Sequence, residues 1–245
     1  NSQLRHAWPG ATQDNYGIVS PDDGAWMYSA VTAVISAHNI LRSMPEIDNT
    51  KIGITGVSWG GVVTSTTIGV DNRFAFAIPS YGCGYLCGSE TYFGDILSAD
   101  EFLWDPSNFI AKSDLPILWM NGDLDGNFSL TSTSKSAILA GNKSYPCIIP
   151  GFGHDHSTTW NRQECYNFAD SIVKNGSEFI RGDVTVSESV ATVKTNRAAQ
   201  SAIMYYTTSE TLAYGNNGTE PLFKYNTVSS DFLKRLSLLV HLRRR

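Results

Sequence analysis

Ser58 stands two residues from a glycine on either side, in Gly56-Val57-Ser58-Trp59-Gly60, directly after the apolar run Lys51-Ile52-Gly53-Ile54-Thr55. A serine hydroxyl is a weak nucleophile until a base removes its proton. The base in turn needs an acid to hold its ring in the right tautomer. Both partners occur later in the chain. Asp125 lies in "NGDLDG", just past the apolar run "PILWM", with Asp123 competing two residues upstream. His154 lies in "GFGHDHS", just past "YPCIIP", and His156 is the alternative base. His6 and His38 precede the serine, His38 reads as a packed residue on an apolar helix face, and His241 belongs to the C-terminal stretch. Together these residues could perform acyl transfer through a covalent serine intermediate, with the backbone N–H of Trp59 steadying the oxyanion.

Each member also has an ordinary reading. A bare G-x-S-x-G arises often by chance, and Asp in "GDLDG" commonly caps a turn. What separates the readings is context: a nucleophile of this kind needs a strand before it and a helix after it. "HDH" could instead serve a metal. One H-x-H with one Asp is a thin ligand set, and Cys83, Cys87, Cys147 and Cys165 fit no zinc spacing. Neither metal nor cofactor is expected.

The elements that must position these groups can be read from periodicity. Asp22 or Asp23 can cap a helix whose face carries Met27, Val31, Val34, His38 and Leu41, and Pro45 ends it. "KIGIT" is a short apolar strand, and the small-residue run "GGVVTSTTIGV" reads as a helix packed closely on a sheet. "FAFAIPSYG" (74–82), "LPILWMNG" (115–122) and "SYPCIIPGFG" (144–153) are further buried strands, and "NRQECYNFADSIVKNG" (161–176) is the clearest later helix. Strands alternating with helices predict an α/β fold, a doubly wound and mostly parallel sheet. Ser58, Asp125 and His154 all fall at carboxyl ends of predicted strands, where such sheets build their sites.

From about residue 182 the period changes to two, in "DVTVSESVATVKTN" and "SAIMYYTTS". That predicts an antiparallel β appendage over 181–232, immunoglobulin-like and incomplete. Residues 1–22 read as a loop, 23–180 as the catalytic domain and 233–245 as a basic tail.

Charged residues make up 17% of the 245, against roughly 25% in an average soluble domain. The net charge of −5, with no basic run before the last residues, argues against nucleic acid as a partner. No apolar run is long enough to span a membrane. Disulfides Cys83–Cys87 or Cys147–Cys165 and four buried free thiols are equally open readings. The sequons at Asn127, Asn142, Asn175 and Asn217 are about what chance supplies. A secreted or periplasmic location is the expectation, with the cytoplasm as the alternative.

Several longer stretches resemble a known family: "EIDNTKIGITGVSWGG", "VDNRFAFAIPSYGCG", "LWDPSNFI", "LPILWMNGDLD" and "WNRQECYNFADSI". Over residues 24–176 the sequence resembles the prolyl oligopeptidase-like and acetyl xylan esterase-like branch of the α/β-hydrolases. The resemblance implies Ser58 as nucleophile and Asp125 as acid. Relatives carry an H-G-H-G turn where this chain has "GFGHDHS"; counting from Pro150 favours His154, and counting back from Trp160 favours His156. The family places several strands before the nucleophile strand, and a loop among them donates a second oxyanion N–H. Only a helix and a loop precede Ser58 here, so the expectation is a piece or trimmed version of a longer hydrolase, with Trp59 as its one donor.

The leading expectation is therefore a serine hydrolase cleaving carboxylic esters of small molecules or carbohydrates, in the manner of an acetyl xylan esterase. Trp59, Tyr81 and Tyr85 are candidates to line its substrate pocket. Two alternatives stand beside it: an oligopeptidase-type enzyme acting on peptides, and a non-catalytic hydrolase-like domain whose β module binds a glycan or a partner.

Overall fold

A computed structural model describes residues 26–97, 103–174, 176–187, 190–198, 201–207, 224–225 and 237–243. The expected loop 1–22 and the caps Asp22 and Asp23 lie outside them. The first helix, α1 (Trp26–Ser43), buries Met27, Val31 and His38, as its apolar spacing predicts. Leu41 is 39% exposed, because the last turn runs past the core.

Four strands follow, each ending near a residue singled out above: β1 (Ile54–Val57), β2 (Ala77–Ser80), β3 (Ile117–Leu124) and β4 (Ser144–Gly153). They form one parallel sheet in chain order, with Ile54 opposite Ala77, Ala77 opposite Ile117 and Ile117 opposite Ser144. Between them run α2 (Trp59–Thr67), α3 (Tyr92–Ile96) and α4 (Leu130–Leu139), and after them α5 (His156–Thr159) and α6 (Gln163–Val173).

A parallel sheet needs cover on both faces, which is why its strands read as continuous apolar runs. Alternate residues serve alternate faces. Ala77, Ile117 and Trp119 join Met27, Val31 and Val62 of α1 and α2 in the larger core cluster. Ile78 and Leu118 face the other way and pack with Phe168 of α6, supported by Phe76, Tyr145 and Phe179. This sandwich fixes the carboxyl ends of all four strands at one edge of the molecule.

The C-terminal region is antiparallel, as its period of two predicts. β5 (Gly182–Ser187) pairs with β6 (Val190–Thr195), and β7 (Ser201–Thr207) lies between β8 (Lys224–Tyr225) and β9 (Ser237–Arg243). Of the stretch 233–245 read as a basic tail, residues 237–243 are described. Ser237–Arg243 is a strand, with Ser237 opposite Thr207 and Arg243 opposite Ser201. "SLLVHLR" is mostly aliphatic, and pairing with β7 satisfies backbone groups that an isolated tail would leave to water. Among the described residues, no helix is long and apolar enough to cross a membrane.

Candidate active site

Ser58 sits between β1 and α2 at φ 58°, ψ −123°, a region that non-glycine residues rarely occupy. Two backbone hydrogen bonds hold it there. Its N–H donates to the Ser80 carbonyl at 3.0 Å, and its carbonyl accepts from the Val62 N–H at 3.1 Å. The glycines around it do different work. A Cβ on Gly56 would run into the Gly60 carbonyl, so the tight turn from strand to helix requires glycine at that position. Gly61 and Gly82 press backbone to backbone, which lets α2 sit directly on the loop after β2. Gly60, the second glycine of the motif, faces open space.

Asp125 follows β3 and its side chain is fully buried. Its Oδ1 accepts the N–H groups of Asn127 at 2.8 Å and Phe128 at 2.9 Å, leaving Oδ2 directed at His154. Asp123 does something else. Its Oδ1 accepts the Gly151 N–H at 2.6 Å and ties β3 to β4. Asn121 braces the same loop, donating to the Phe128 carbonyl at 3.0 Å and to Thr133 Oγ1 at 2.8 Å.

His154 lies just beyond β4, between the other two groups. Its Nδ1 is 3.0 Å from Asp125 Oδ2 and its Nε2 is 2.8 Å from Ser58 Oγ. A carboxylate can only accept, so Nδ1 carries the proton and Nε2 presents its lone pair to the serine hydroxyl. Phe128 lies nearly parallel to the imidazole at 5.8 Å, and the Tyr81 ring packs against it at 4.4 Å. His156, the alternative base, opens α5 and is exposed; its Nε2 is 3.4 Å from His154 Nε2 and, among the described residues, it has no carboxylate partner. The structure thus brings together Ser58, Asp125 and His154 and sets His156 at their edge.

The turn carrying both histidines is fixed by Asp155. Its Oδ1 accepts the Ser157 N–H at 2.8 Å, and hydrogen bonds from Ser157 and Thr158 hold its carboxyl down at about 2. Trp59 begins α2, so its backbone N–H lies beside Ser58 at the positive end of the helix. Its indole packs on Trp26 at 5.5 Å and on Phe93 at 5.7 Å.

The two tyrosines expected in the pocket are placed differently. Tyr81 is 1% exposed and its hydroxyl is 2.6 Å from Thr159 Oγ1, so it forms a floor under His154 and offers little surface to a ligand. Burial raises its phenol above the ordinary range. Tyr85 is half-buried, with its N–H on Asp105 Oδ1 and the Lys135 ammonium over its ring. Neither contact brings it to Ser58. Reasoning from sequence missed Asn121, Phe128 and Asp155. Only Asp155 had a usable signal, an Asp two and three residues before Ser157 and Thr158 at a helix start.

Comparison with known proteins adds the lineage. A model of the peptidase S9 prolyl oligopeptidase family matches residues 22–170. The chain belongs to the prolyl oligopeptidase family. The uncharacterized peptidase YuxL of Bacillus subtilis is 27% identical over 167 residues, which cover 61% of this chain and 25% of that protein. The acylaminoacyl peptidase of Pyrococcus horikoshii has a similar fold, with a TM-score of 0.52 at 18% identity, over 62% of this chain and 29% of that one. An acetyl xylan esterase from Paenibacillus sp. R4 matches with a TM-score of 0.51 at 14% identity, over 61% of this chain and 54% of that one. The prolyl oligopeptidase family chain described here therefore spans about a quarter of the curated relative's length.

Proposed function

We propose that this chain hydrolyses carboxylic esters through an acyl-enzyme formed on Ser58. Ser58 Oγ attacks the carbonyl carbon while its proton passes to His154 Nε2. Asp125 accepts the Nδ1–H and stabilises the imidazolium that forms. The developing oxyanion takes the Trp59 N–H at the start of α2. His154 then returns the proton to the leaving alkoxide, and water repeats the sequence on the acyl group to release the acid. The observation that carries this reading is the unbroken relay of 3.0 Å and 2.8 Å from Asp125 through His154 to a serine on a strained strand-to-helix turn.

A second reading, cleavage of peptides, is favoured by the family match and by the peptidase name of the curated relative. The chemistry is the same until the leaving group departs; an amine leaves less readily than an alkoxide and leans harder on proton return from His154. One experiment addresses both readings. Turnover of p-nitrophenyl acetate and of an aminoacyl p-nitroanilide is compared for the wild-type chain and Ser58→Ala. Ester turnover falling by about 10⁴-fold or more in a folded Ser58→Ala supports the assignment. Unchanged ester turnover in that variant removes it. Anilide cleavage at a comparable kcat/KM transfers the conclusion to peptides.

A further inference from the structure

His156 is a histidine with no role in the relay just described, yet it touches the relay's most sensitive atom. Its Nε2 is 3.4 Å from His154 Nε2, and the same nitrogen of His154 accepts from Ser58 Oγ at 2.8 Å. The ring is not there by accident of a loose loop. It opens α5, whose first turn is capped by Asp155, and it lies at 17° to the Tyr81 ring, 6.1 Å away. Tyr81 is itself anchored through Thr159, whose hydroxyl donates to the Asp155 carbonyl at 2.8 Å.

Two imidazole nitrogens cannot face each other with both lone pairs inward, so one hydrogen must lie between them. Asp125 keeps the single proton of neutral His154 on Nδ1, which leaves Nε2 as an acceptor. The hydrogen must therefore belong to His156. Two donors, Ser58 Oγ–H and His156 Nε2–H, then compete for one lone pair. When His154 takes the serine proton, its Nε2 becomes a donor as well, and the two N–H groups oppose each other. His156 is exposed and free to rotate out of that conflict. Among the described residues, the charged groups beside the pair are Asp125 at the end of β3 and Asp155 on the turn itself, and Arg162 lies over the Phe152 ring.

The geometry points to His156 as a positioning residue: a resting-state latch that carries its proton on Nε2, competes with Ser58 for the lone pair of His154, and must swing away as His154 takes the serine proton. This rests on the acyl-enzyme reading for its kinetic consequence but not for its proton assignment.

The test combines nitrogen-15 NMR of the histidine rings with the rate at which a fluorophosphonate labels Ser58. The NMR spectrum should show a proton-bearing Nε2 on His156 and a lone-pair Nε2 on His154. His156→Phe keeps a ring against Tyr81 but donates nothing, and should label about two- to fivefold faster, the equivalent of a weak net hydrogen bond. His156→Gln keeps an N–H donor and should label at the wild-type rate. A His156 Nε2 shift equal to that of free, tautomer-averaged histidine would overturn the latch. So would unchanged or slower labelling of His156→Phe, or equal acceleration of both variants. If Ser58→Ala retained full ester turnover, the acyl-enzyme reading would fail while the NMR assignment would still test the pair.

Discussion

His154 Nε2 lies 2.8 Å from Ser58 Oγ, although the two residues are 96 positions apart in the chain. The sheet closes that distance by ending β1 and β4 at the same edge, with β2 and β3 between them. His154→Ala is therefore expected to lower kcat for an activated ester by about 10³-fold or more. His156→Ala should leave kcat within a small factor of wild type. Steady-state kinetics of the two variants checks the ranking, and the reverse order would move the base to His156.

Asp125 and Asp123 are both buried, two residues apart, and they answer different assays. Asp125→Asn keeps the size of the side chain but presents a donor to Nδ1, which forces the wrong tautomer on His154. The expected loss is about 10⁴-fold in kcat with little change in stability. Asp123→Asn weakens the bond to the Gly151 N–H, a link between strands. It should lower unfolding free energy by roughly 1.5–3 kcal/mol. Urea titration beside ester kinetics would separate the two effects, and a catalytic collapse confined to Asp123→Asn would exchange their roles.

The elbow glycines give a contrast within one motif. Gly56→Ala puts a methyl into the Gly60 carbonyl and should lose soluble, cooperatively folding protein. Gly60→Ala meets open space inside α2 and should raise helix stability by about 0.5–1 kcal/mol. Thermal melts of both variants check this. Equal destabilisation would mean that the turn is looser than the contact implies.

Much of this arrangement was legible before any coordinates. The four strands announce themselves as apolar runs bounded by glycine or proline; β2 and β3, in the middle of the sheet, are buried almost throughout, whereas β4, at its edge, buries only Ile149 and Phe152. Helix α4 does not announce itself. Its sequence, LTSTSKSAIL, is rich in weak helix formers, and it forms because its hydroxyls are satisfied locally. Thr133 Oγ1 donates to the Ser129 carbonyl at 3.0 Å, and Ser136 Oγ to the Ser132 carbonyl at 2.9 Å. The order of Ser58, Asp125 and His154 could be read from motifs, but the choice between neighbours could not. Asp123 against Asp125, and His154 against His156, depend on the direction each side chain takes as its strand ends. The same holds for Tyr81, whose aromatic character suggested a pocket wall and whose burial makes it a floor.

The cysteines make a prediction about reactivity. All four are free thiols. Burial pushes Cys83 and Cys165 up to about 12 and Cys87 up to about 11, and raises Cys147 further. The thiolate is the reactive form, so at pH 7.5 the native chain should react slowly with a disulfide reagent such as DTNB. Unfolding in guanidinium without reductant should expose four reactive thiols. A count of two would reveal a bridge.

Far from the site, Asp71 links α1 to the turn after α2 and carries the last prediction. Its carboxylate accepts from Arg73 Nε at 2.7 Å and Nη2 at 2.6 Å, and its Oδ2 is 2.9 Å from His38 Nδ1. His38 is buried and stacked on Phe74 at 3.8 Å, so the bond fixes a core residue as well as a charge. The Arg73 hydrogen bonds, ahead of the opposing effect of burial, hold the Asp71 carboxyl well below the usual carboxylate range. A group depressed on folding stabilises the fold at pH values above its unfolded pKa, about 3.9 for Asp, and that contribution fades as pH falls toward the folded value. Asp71→Asn can offer its carbonyl to His38 or to Arg73 but turns an amide toward the other partner. At pH 7 the expected loss is about 2 kcal/mol, the size of a hydrogen bond to a charged group, moderated by the partly exposed guanidinium. Urea unfolding of wild type and Asp71→Asn should give a constant gap from pH 7 to about 5 and a narrowing one below about 4. A gap that stays open at pH 3 would assign the effect to packing around His38 instead of to the charge on Asp71.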